Sequence, residues 1–173
     1  AYPTLLTNPV HGAITTPAEW QAHRTGLRAF WMNTIGPWPA ELTHPQSEIK
    51  ETETTPEGIT RHKIEVELQL GRRVTGYLLI PPGTGPFPAV VDFWYFPAES
   101  AGIGVSSNGS VDFSWQLAKR GFVALAIRDV YNNDRPARQD MSHLAYLASS
   151  AYHFLADRPD VVAGNPSFNP VPG

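Results

Sequence analysis

Two apolar runs decide the fold of this chain: Ala89-Val90-Val91-Asp92-Phe93-Trp94 and Phe122-Val123-Ala124-Leu125-Ala126-Ile127. Each run is nearly continuous in apolar residues, which is typical of strands that are covered on both faces. Between them the sequence predicts a loop and then a helix over about residues 111–120, which Gly121 can end. A strand, a helix and a strand in this order predict a right-handed parallel crossover.

The residues before the first run predict a pair of antiparallel strands. Residues 59–70 alternate in part between apolar and charged side chains, as a half-buried strand does. A turn at Gly71-Arg72 connects them to a second strand over residues 74–80. Residues 81–86 read Pro-Pro-Gly-Thr-Gly-Pro and predict a loop.

An amphipathic helix is predicted near the N-terminus, after an irregular arm of residues 1–15. Thr16 can cap this helix, Glu19 can complete a capping box, and Gly36-Pro37 can end it. The apolar side chains that fall roughly on one face are Trp20, Leu27, Phe30 and Trp31. We therefore expect this face to pack on a larger body.

A third helix is predicted after the second apolar run. Asp140 or Ser142 can cap it, and Arg158-Pro159 stops it. Its predicted apolar face consists of Leu144, Leu147, Ala151, Phe154 and Leu155. Residues 161–173 are short of apolar runs and rich in Pro, Gly and Asn, so we expect an irregular tail. The length of 173 residues suits one domain.

The composition excludes several classes of function. The chain is 42% hydrophobic and 17% charged, so it can bury a real core. Its formal net charge is -3 and its Lys and Arg residues are scattered, which argues against nucleic acid as a partner. No run approaches a membrane span. The absence of cysteine excludes disulfides and thiolate metal sites and leaves the compartment open, with a secreted or periplasmic location preferred over a cytoplasmic one.

Taken in series, these segments resemble the opening half of an α/β-hydrolase, closest to the acetyl-xylan-esterase-like and dienelactone-hydrolase-like branch. Residues 86–91 (PFPAVV) look like the start of that family's third strand. Residues 113–125 (FSWQLAKRGFVAL) look like its first crossover helix and fourth strand, and residues 144–161 look like the helix before the nucleophile strand. The likeness covers about residues 14–161.

The resemblance implies an incomplete α/β-hydrolase-type sheet: antiparallel N-terminal strands, then parallel strands with crossover helices, all preceded by the amphipathic helix. It also implies a carboxylic ester hydrolase that works by serine acyl transfer without a cofactor. The substrate would be an acetylated carbohydrate or another small carboxylic ester.

The sequence departs from this family at the nucleophile. There the next strand ends in Gly-x-Ser-x-Gly, and this sequence contains no such motif; residues 104–109 hold Gly and Ser at the wrong spacing. The acidic and histidine members of a triad would also come later in the family order. Two readings stay open: an esterase portion whose nucleophile lies on another segment or chain, and a non-catalytic module that dimerises or binds a partner.

One catalytic element of the family does fall within the chain. By register, the oxyanion-hole donor after the third strand would be the backbone N–H of Tyr95 or Phe96. The alternative is an aromatic loop that packs beneath a lid. The side chains of Tyr95 and Glu99 are candidates to line an ester-binding cleft.

A polar pair is a second candidate. His143 could face Asp129, because both lie near the carboxyl side of the predicted sheet, and a His–Asp pair is the basic half of a triad. The alternative is a helix-cap histidine on a solvated turn. The loop serines Ser106, Ser107 and Ser110 are weak candidates for a nucleophile, and the histidines show no metal-binding spacing.

The family order of strands has a consequence for partners. It runs first, second, fourth, third and then the nucleophile strand, so residues 89–94 become an edge here. An apolar edge with unpaired backbone groups needs a cover. A second chain, a second copy of this chain, or the tail at 161–173 could supply it, although the prolines of the tail make it a poor strand.

Overall fold

A computed structural model describes residues 6–8, 12–35, 40, 42–105, 111–128 and 140–162 of the chain. The strands are, in chain order, β1 (Thr7–Asn8), β2 (Gly12–Ala13), β3 (Ser47–Thr54), β4 (Thr60–Gln69), β5 (Arg72–Ile80), β6 (Ala89–Phe93) and β7 (Val123–Ile127). The helices are α1 (Pro17–Ile35), α2 (Pro97–Ser100), α3 (Phe113–Ala118) and α4 (Asp140–Ala156).

Five strands form one sheet in the order β3-β4-β5-β7-β6. β6 and β7 pair in parallel, and the other neighbours pair antiparallel. This confirms the expected order of the four predicted strands and the parallel pairing across the helix α3. β1 and β2 form a separate two-stranded ribbon.

The strand β3 was not predicted. Its sequence, SEIKETET, holds one large apolar residue, and all eight side chains are exposed, so it carries no burial pattern. Side-chain pairing with β4 supports it instead, as between Glu51 and Lys63 at 2.7 Å and between Lys50 and Glu65 at 3.1 Å. Such pairs are visible only when the partner strand and its register are known.

The turn between β4 and β5 confirms the predicted hairpin. Gln69 pairs with Arg72, so the connection is Leu70-Gly71. Gly71 has a φ of 75°, which favours glycine, and its N–H donates to the Glu67 carboxylate at 2.6 Å. On β4, the predicted apolar side (Ile64, Val66 and Leu68) is fully buried.

Helices cover both faces of the sheet, which is why β7 is buried along its whole length. On one face, α4 packs its buried Tyr146 and Leu147 against β4, β5 and β7. On the other face, α3 and the end of α2 pack Ala118 and Ala101 against Leu79 and Ala124. The predicted apolar face of α4 is confirmed, with Leu144 the one of its five residues that is only half-buried.

The N-terminal helix confirms one prediction and corrects another. The capping box is present: Glu19 accepts from the backbone N–H groups of Thr15 and Thr16, which hold its pKa below the usual value. The expected packing is wrong for the residues that the structure describes, because Phe30 is 60% and Trp31 56% exposed. The physical reason is that α2, α3 and α4 already occupy both faces of the sheet.

The helix α3 is shorter than the predicted 111–120 segment. Asp112 stands at its N-cap but makes no capping bond, because its carboxylate accepts from the Gln116 side chain at 2.8 Å. Gly121, with a φ of 88°, follows the helix as predicted.

The close approach of β5 to β7 yields a stability prediction. A Cβ atom at Gly76 would lie 2.5 Å from the Ala126 carbonyl oxygen and 2.7 Å from Cγ2 of Ile127. We expect Gly76→Ala to lower the free energy of unfolding by about 3 kcal/mol, measured by urea denaturation, because both neighbours belong to the packed centre of the sheet. Gly26→Ala is the control, since a Cβ there meets nothing within 4 Å. Equal stability of the two variants would contradict the packing.

Candidate functional site

The loop that follows β6 lies at the carboxyl end of the parallel strand pair. The Trp94 N–H donates to the Ile127 carbonyl at 3.1 Å, so the backbone stays tied to β7 one residue beyond the strand. Tyr95 and Phe96 then leave the sheet, and each is 57% exposed. Ligands of α/β folds bind at this end of a parallel sheet. The structure therefore places Tyr95 and Phe96 at this end of the sheet, and their role as an oxyanion loop stays a prediction.

Aromatic rings surround the start of this loop. The Trp94 ring meets the Tyr95 ring at 5.8 Å and the Phe113 ring at 5.3 Å, both edge to face. Phe113 begins α3 and is 43% exposed. We call these three residues the aromatic cluster. It forms a partly exposed apolar surface at the start of the loop.

A buried polar network fixes the two short helices on the strand that leads to the loop. On β6, one carboxylate oxygen of Asp92 accepts hydrogen bonds from the Ser100 and Ser114 hydroxyls, the latter at 3.0 Å. The Ser114 N–H donates in turn to the Ser100 hydroxyl at 3.0 Å. Both serines are fully buried. The network ties α2 and α3 to β6 and so fixes both ends of the 94–96 connection.

Sequence reasoning missed this network, because Asp92 was counted within an apolar run. The usable signal was the run itself: a carboxylate in a strand that is covered on both faces must find hydrogen-bond donors. The sequence did not show which donors. Ser100 lies on a four-residue helix without a sequence pattern that predicts it, and nothing in the sequence distinguishes Ser114 from the other polar residues of α3.

Glu99 lies half-buried on α2, just after the loop. Its carbonyl accepts from the Gly102 N–H at 2.9 Å, which closes the helix. Glu99 therefore lies close to Tyr95 in the sequence. That these two side chains line a substrate cleft stays a prediction.

The predicted polar pair cannot be assembled from the described residues. His143 is half-buried on α4, the helix that packs on the sheet face opposite the Asp92 network. Asp129 lies outside the described residues, as do Ser106, Ser107 and Ser110. The His143–Asp129 pair therefore stays a prediction.

The chain returns to the sheet beside the start of β6. The Phe87 N–H donates to the Asp160 carbonyl, and the Val162 N–H donates to the Phe87 carbonyl, both at 2.8 Å. These bonds form a parallel bridge between Phe87 and Val161. The remainder of the predicted tail, 163–173, lies outside the described residues.

Beyond this bridge, β6 is an edge among the residues that the structure describes. Pro88 accepts from the Val123 N–H, and Trp94 donates to Ile127, so the backbone groups of even-numbered residues face β7. Because peptide groups alternate along a strand, those of Ala89, Val91 and Phe93 face away from β7. All five side chains of β6 are only half-buried. This matches the predicted edge at 89–94.

The described residues contain neither a candidate metal site nor a candidate membrane-spanning helix. Over the described ranges, no group of three His, Asp or Glu side chains is placed to hold a metal ion. Over the same ranges, no helix has both the length and the apolar composition needed to cross a bilayer.

Solved structures with a similar backbone identify the fold. A Bacteroides fragilis protein assigned as an acetyl xylan esterase matches with a TM-score of 0.59 and 18% identity, covering 85% of this chain and 46% of its own. The fold is that of the α/β-hydrolases. A family 15 glucuronoyl esterase from Caldicellulosiruptor kristjansonii matches with a TM-score of 0.50 and 12% identity, over 94% of this chain and 47% of its own. This α/β-hydrolase-type chain thus spans about half the length of these structures.

Curated relatives are similar over part of the sequence. Mouse acyl-coenzyme A thioesterase 3 is 37% identical over 87 residues, which cover 49% of this chain and 17% of the relative. Human bile acid-CoA:amino acid N-acyltransferase is 33% identical over 105 residues, covering 60% and 21%. Human mitochondrial acyl-coenzyme A thioesterase 2 is 31% identical over 107 residues, covering 61% and 19%. No protein-family profile matches the chain.

The Asp92 network yields the second prediction. Asp92→Ala leaves the buried Ser100 and Ser114 hydroxyls without their acceptor, so we expect it to lower the free energy of unfolding by about 3 kcal/mol in urea denaturation. Asp112→Ala is the matched control, because it removes one partly buried bond to Gln116 and should lower that free energy by less than about 1 kcal/mol. If the two variants are equally stable, the network does not hold the helices.

Proposed function

We propose that this chain is the oxyanion-loop portion of an enzyme that cleaves small carboxylic esters or thioesters by serine acyl transfer. One observation carries the proposal. The 94–96 loop leaves β6 at the carboxyl end of a parallel strand pair and leads into α2, which Asp92 ties to β6 through Ser100. A loop held in this way presents its backbone N–H groups in a constant position, as stabilisation of a developing oxyanion requires.

In the proposed reaction, a serine hydroxyl attacks the acyl carbonyl and the carbonyl oxygen becomes an oxyanion. The N–H of Tyr95 or Phe96 donates to that oxygen and lowers the barrier. The sequence has no Gly-x-Ser-x-Gly segment, so we propose that another segment or chain supplies the nucleophile, the acid and the base. Serine acyl transfer of this kind uses no cofactor.

The proposed substrate is defined by its acyl carbonyl rather than by its leaving group. The solved structures include esterases of carbohydrates, and the curated relatives include acyl-coenzyme A thioesterases and acyltransferases. Oxygen esters and thioesters share a carbonyl that passes through the same tetrahedral stage. The aromatic cluster suits a small apolar acyl group. An acetylated carbohydrate would go with the secreted or periplasmic location that we prefer.

The proposed partner covers β6. Its outward backbone groups at Ala89, Val91 and Phe93 form an apolar edge, and the Phe87–Val161 bridge shows that parallel pairing is possible on that side. A second chain that brings the missing strands would cover the edge and supply the nucleophile together. A second copy of this chain would cover the edge alone.

The alternative function is a non-catalytic module that dimerises or binds a partner through β6. The missing nucleophile motif is the observation that favours it. The two proposals differ in what the 94–96 loop does. Only the enzyme portion uses the loop to bind an ester, whereas both use the strand edge.

The loop is tested by removing one backbone N–H group at a time. We expect phenyl acetate to shift the Tyr95 and Phe96 amide signals of the isotope-labelled chain, and we expect Tyr95→Pro or Phe96→Pro to abolish binding because proline has no N–H. Phe96→Ala keeps the N–H and leaves the aromatic cluster intact, so it should still bind the ester and is the control.

Turnover is measured in the same samples with p-nitrophenyl acetate and acetyl-coenzyme A. We expect rates equal to buffer from a sample whose mass is the 19.0 kDa of this chain alone. Turnover at an enzyme-like rate would contradict our assignment of the nucleophile to another segment. Absence of any shift at residues 95 and 96 would favour the non-catalytic module.

The edge is tested with two neighbouring prolines. We expect the isolated chain to self-associate in sedimentation experiments. Val91→Pro should give a folded monomer, because the N–H that it removes faces the open side. Val90→Pro is the control and should lower stability, because the N–H of Val90 faces β7. A wild-type monomer whose Val91 and Phe93 amides are protected from exchange would show that the edge is already covered.

A further inference from the structure

The indole N–H of Trp94 is a buried donor without an acceptor. The nitrogen is enclosed and makes no hydrogen bond within the described part of the chain, although the backbone N–H of the same residue donates to Ile127. Indole nitrogen can only donate, and a buried donor that gains no acceptor on folding loses the hydrogen bond that it had with water. If this side chain served only for packing, phenylalanine would fill the position without leaving a donor unpaired.

This donor differs from the other unpaired buried groups that the structure describes. Those are the hydroxyls of Thr55, between β3 and β4, and Ser150, on α4. Neither lies on the loop after β6. Trp94 directly precedes Tyr95 and Phe96, so it belongs to the loop that carries the proposed backbone donors.

The rings that pack against Trp94 can change position. Two of the rings that enclose it belong to Tyr95 and Phe113, which are themselves 57% and 43% exposed. Side chains that lie so far in solvent change rotamer readily. An apolar group that enters between these rings would contact the Trp94 ring.

We propose that Trp94 is a substrate-binding residue whose indole N–H donates to the acyl carbonyl oxygen, with the acyl group held between the rings of Tyr95 and Phe113. The inference rests on the proposed function and deepens it by adding a side-chain donor to the backbone donors. The carbonyl oxygen has two lone pairs and can accept from both. Because oxygen esters and thioesters share this atom, Trp94 serves either class.

The test compares two ligands of the same shape. Phenyl acetate carries the carbonyl, whereas methallylbenzene replaces the ester atoms with carbon and accepts no hydrogen bond. Each is titrated into the isotope-labelled 173-residue chain, and the indole N–H signals of its tryptophans are followed. Trp94→Phe assigns the signal, and Trp31→Phe, on the exposed helix α1, is the matched control.

We expect phenyl acetate to move the Trp94 indole proton downfield as a hydrogen bond forms, and methallylbenzene to leave it near its free position. We expect Trp94→Phe to weaken binding of phenyl acetate about fivefold, the effect of one hydrogen bond, and to leave methallylbenzene binding unchanged. Trp31→Phe should bind both ligands as the wild type does.

Three results would overturn the inference. The indole signal could respond equally to both ligands, which indicates contact without a hydrogen bond. It could already sit at a hydrogen-bonded position without ligand. It could also stay still while the Tyr95 and Phe96 amides move, in which case the proposed function survives and the role of Trp94 falls. If neither the indole nor those amides respond to phenyl acetate, both proposals fall.

Discussion

The parallel pairing of β6 with β7 is the constraint on which the rest of the structure depends. β7 is buried along its length, paired with β5 on one side and β6 on the other. Its pairing with β6 aligns the carboxyl ends of the two strands, and the bond from Trp94 to Ile127 extends that alignment into the loop. The position of Tyr95 and Phe96 therefore follows from the sheet register. A substrate site at this loop would be anchored to β7, which is the most deeply buried strand.

The Asp92 network shows how a polar group can be used inside such a sheet. A carboxylate in a covered strand is costly unless it is fully hydrogen-bonded, and here two buried serines supply the bonds. An apolar residue at this position would pack more simply but would not fix α2 and α3 at one place. The three side chains therefore fix both helices relative to β6, whereas apolar contacts alone would allow the helices to shift along the strand.

The sequence predicted the parts of the fold whose stability comes from burial. The strands at 59–70, 74–80, 89–94 and 122–127, and the helix α4, carry apolar patterns that follow from being covered on one face or two. β3 could not be predicted in the same way, because its support is cross-strand ion pairing with exposed side chains. The packing of α1 was predicted wrongly because an apolar face indicates only that a helix can pack against a partner. It does not indicate that the partner belongs to the same chain.

The candidate site could be predicted only where register fixes it. The 94–96 loop follows from the position of the third strand in the resembled family, and the structure places it at the expected end of the sheet. The donors to Asp92 and the unpaired indole of Trp94 could not be predicted, because both depend on which side chains meet across the short helices α2 and α3. The position of His143 relative to Asp129 lies beyond the described residues.

The two edges of the sheet differ in a way that argues for a partner of β6. The outer strand β3 carries charged residues along its length, and these resist pairing with another sheet. β6 has a single charged residue, Asp92, and its carboxylate is turned inward to Ser100 and Ser114. No charged side chain on β6 therefore opposes pairing with another strand. A sheet that faced solvent at both ends would gain from charges at both. This contrast between β3 and β6 supports the proposed partner strand beside β6.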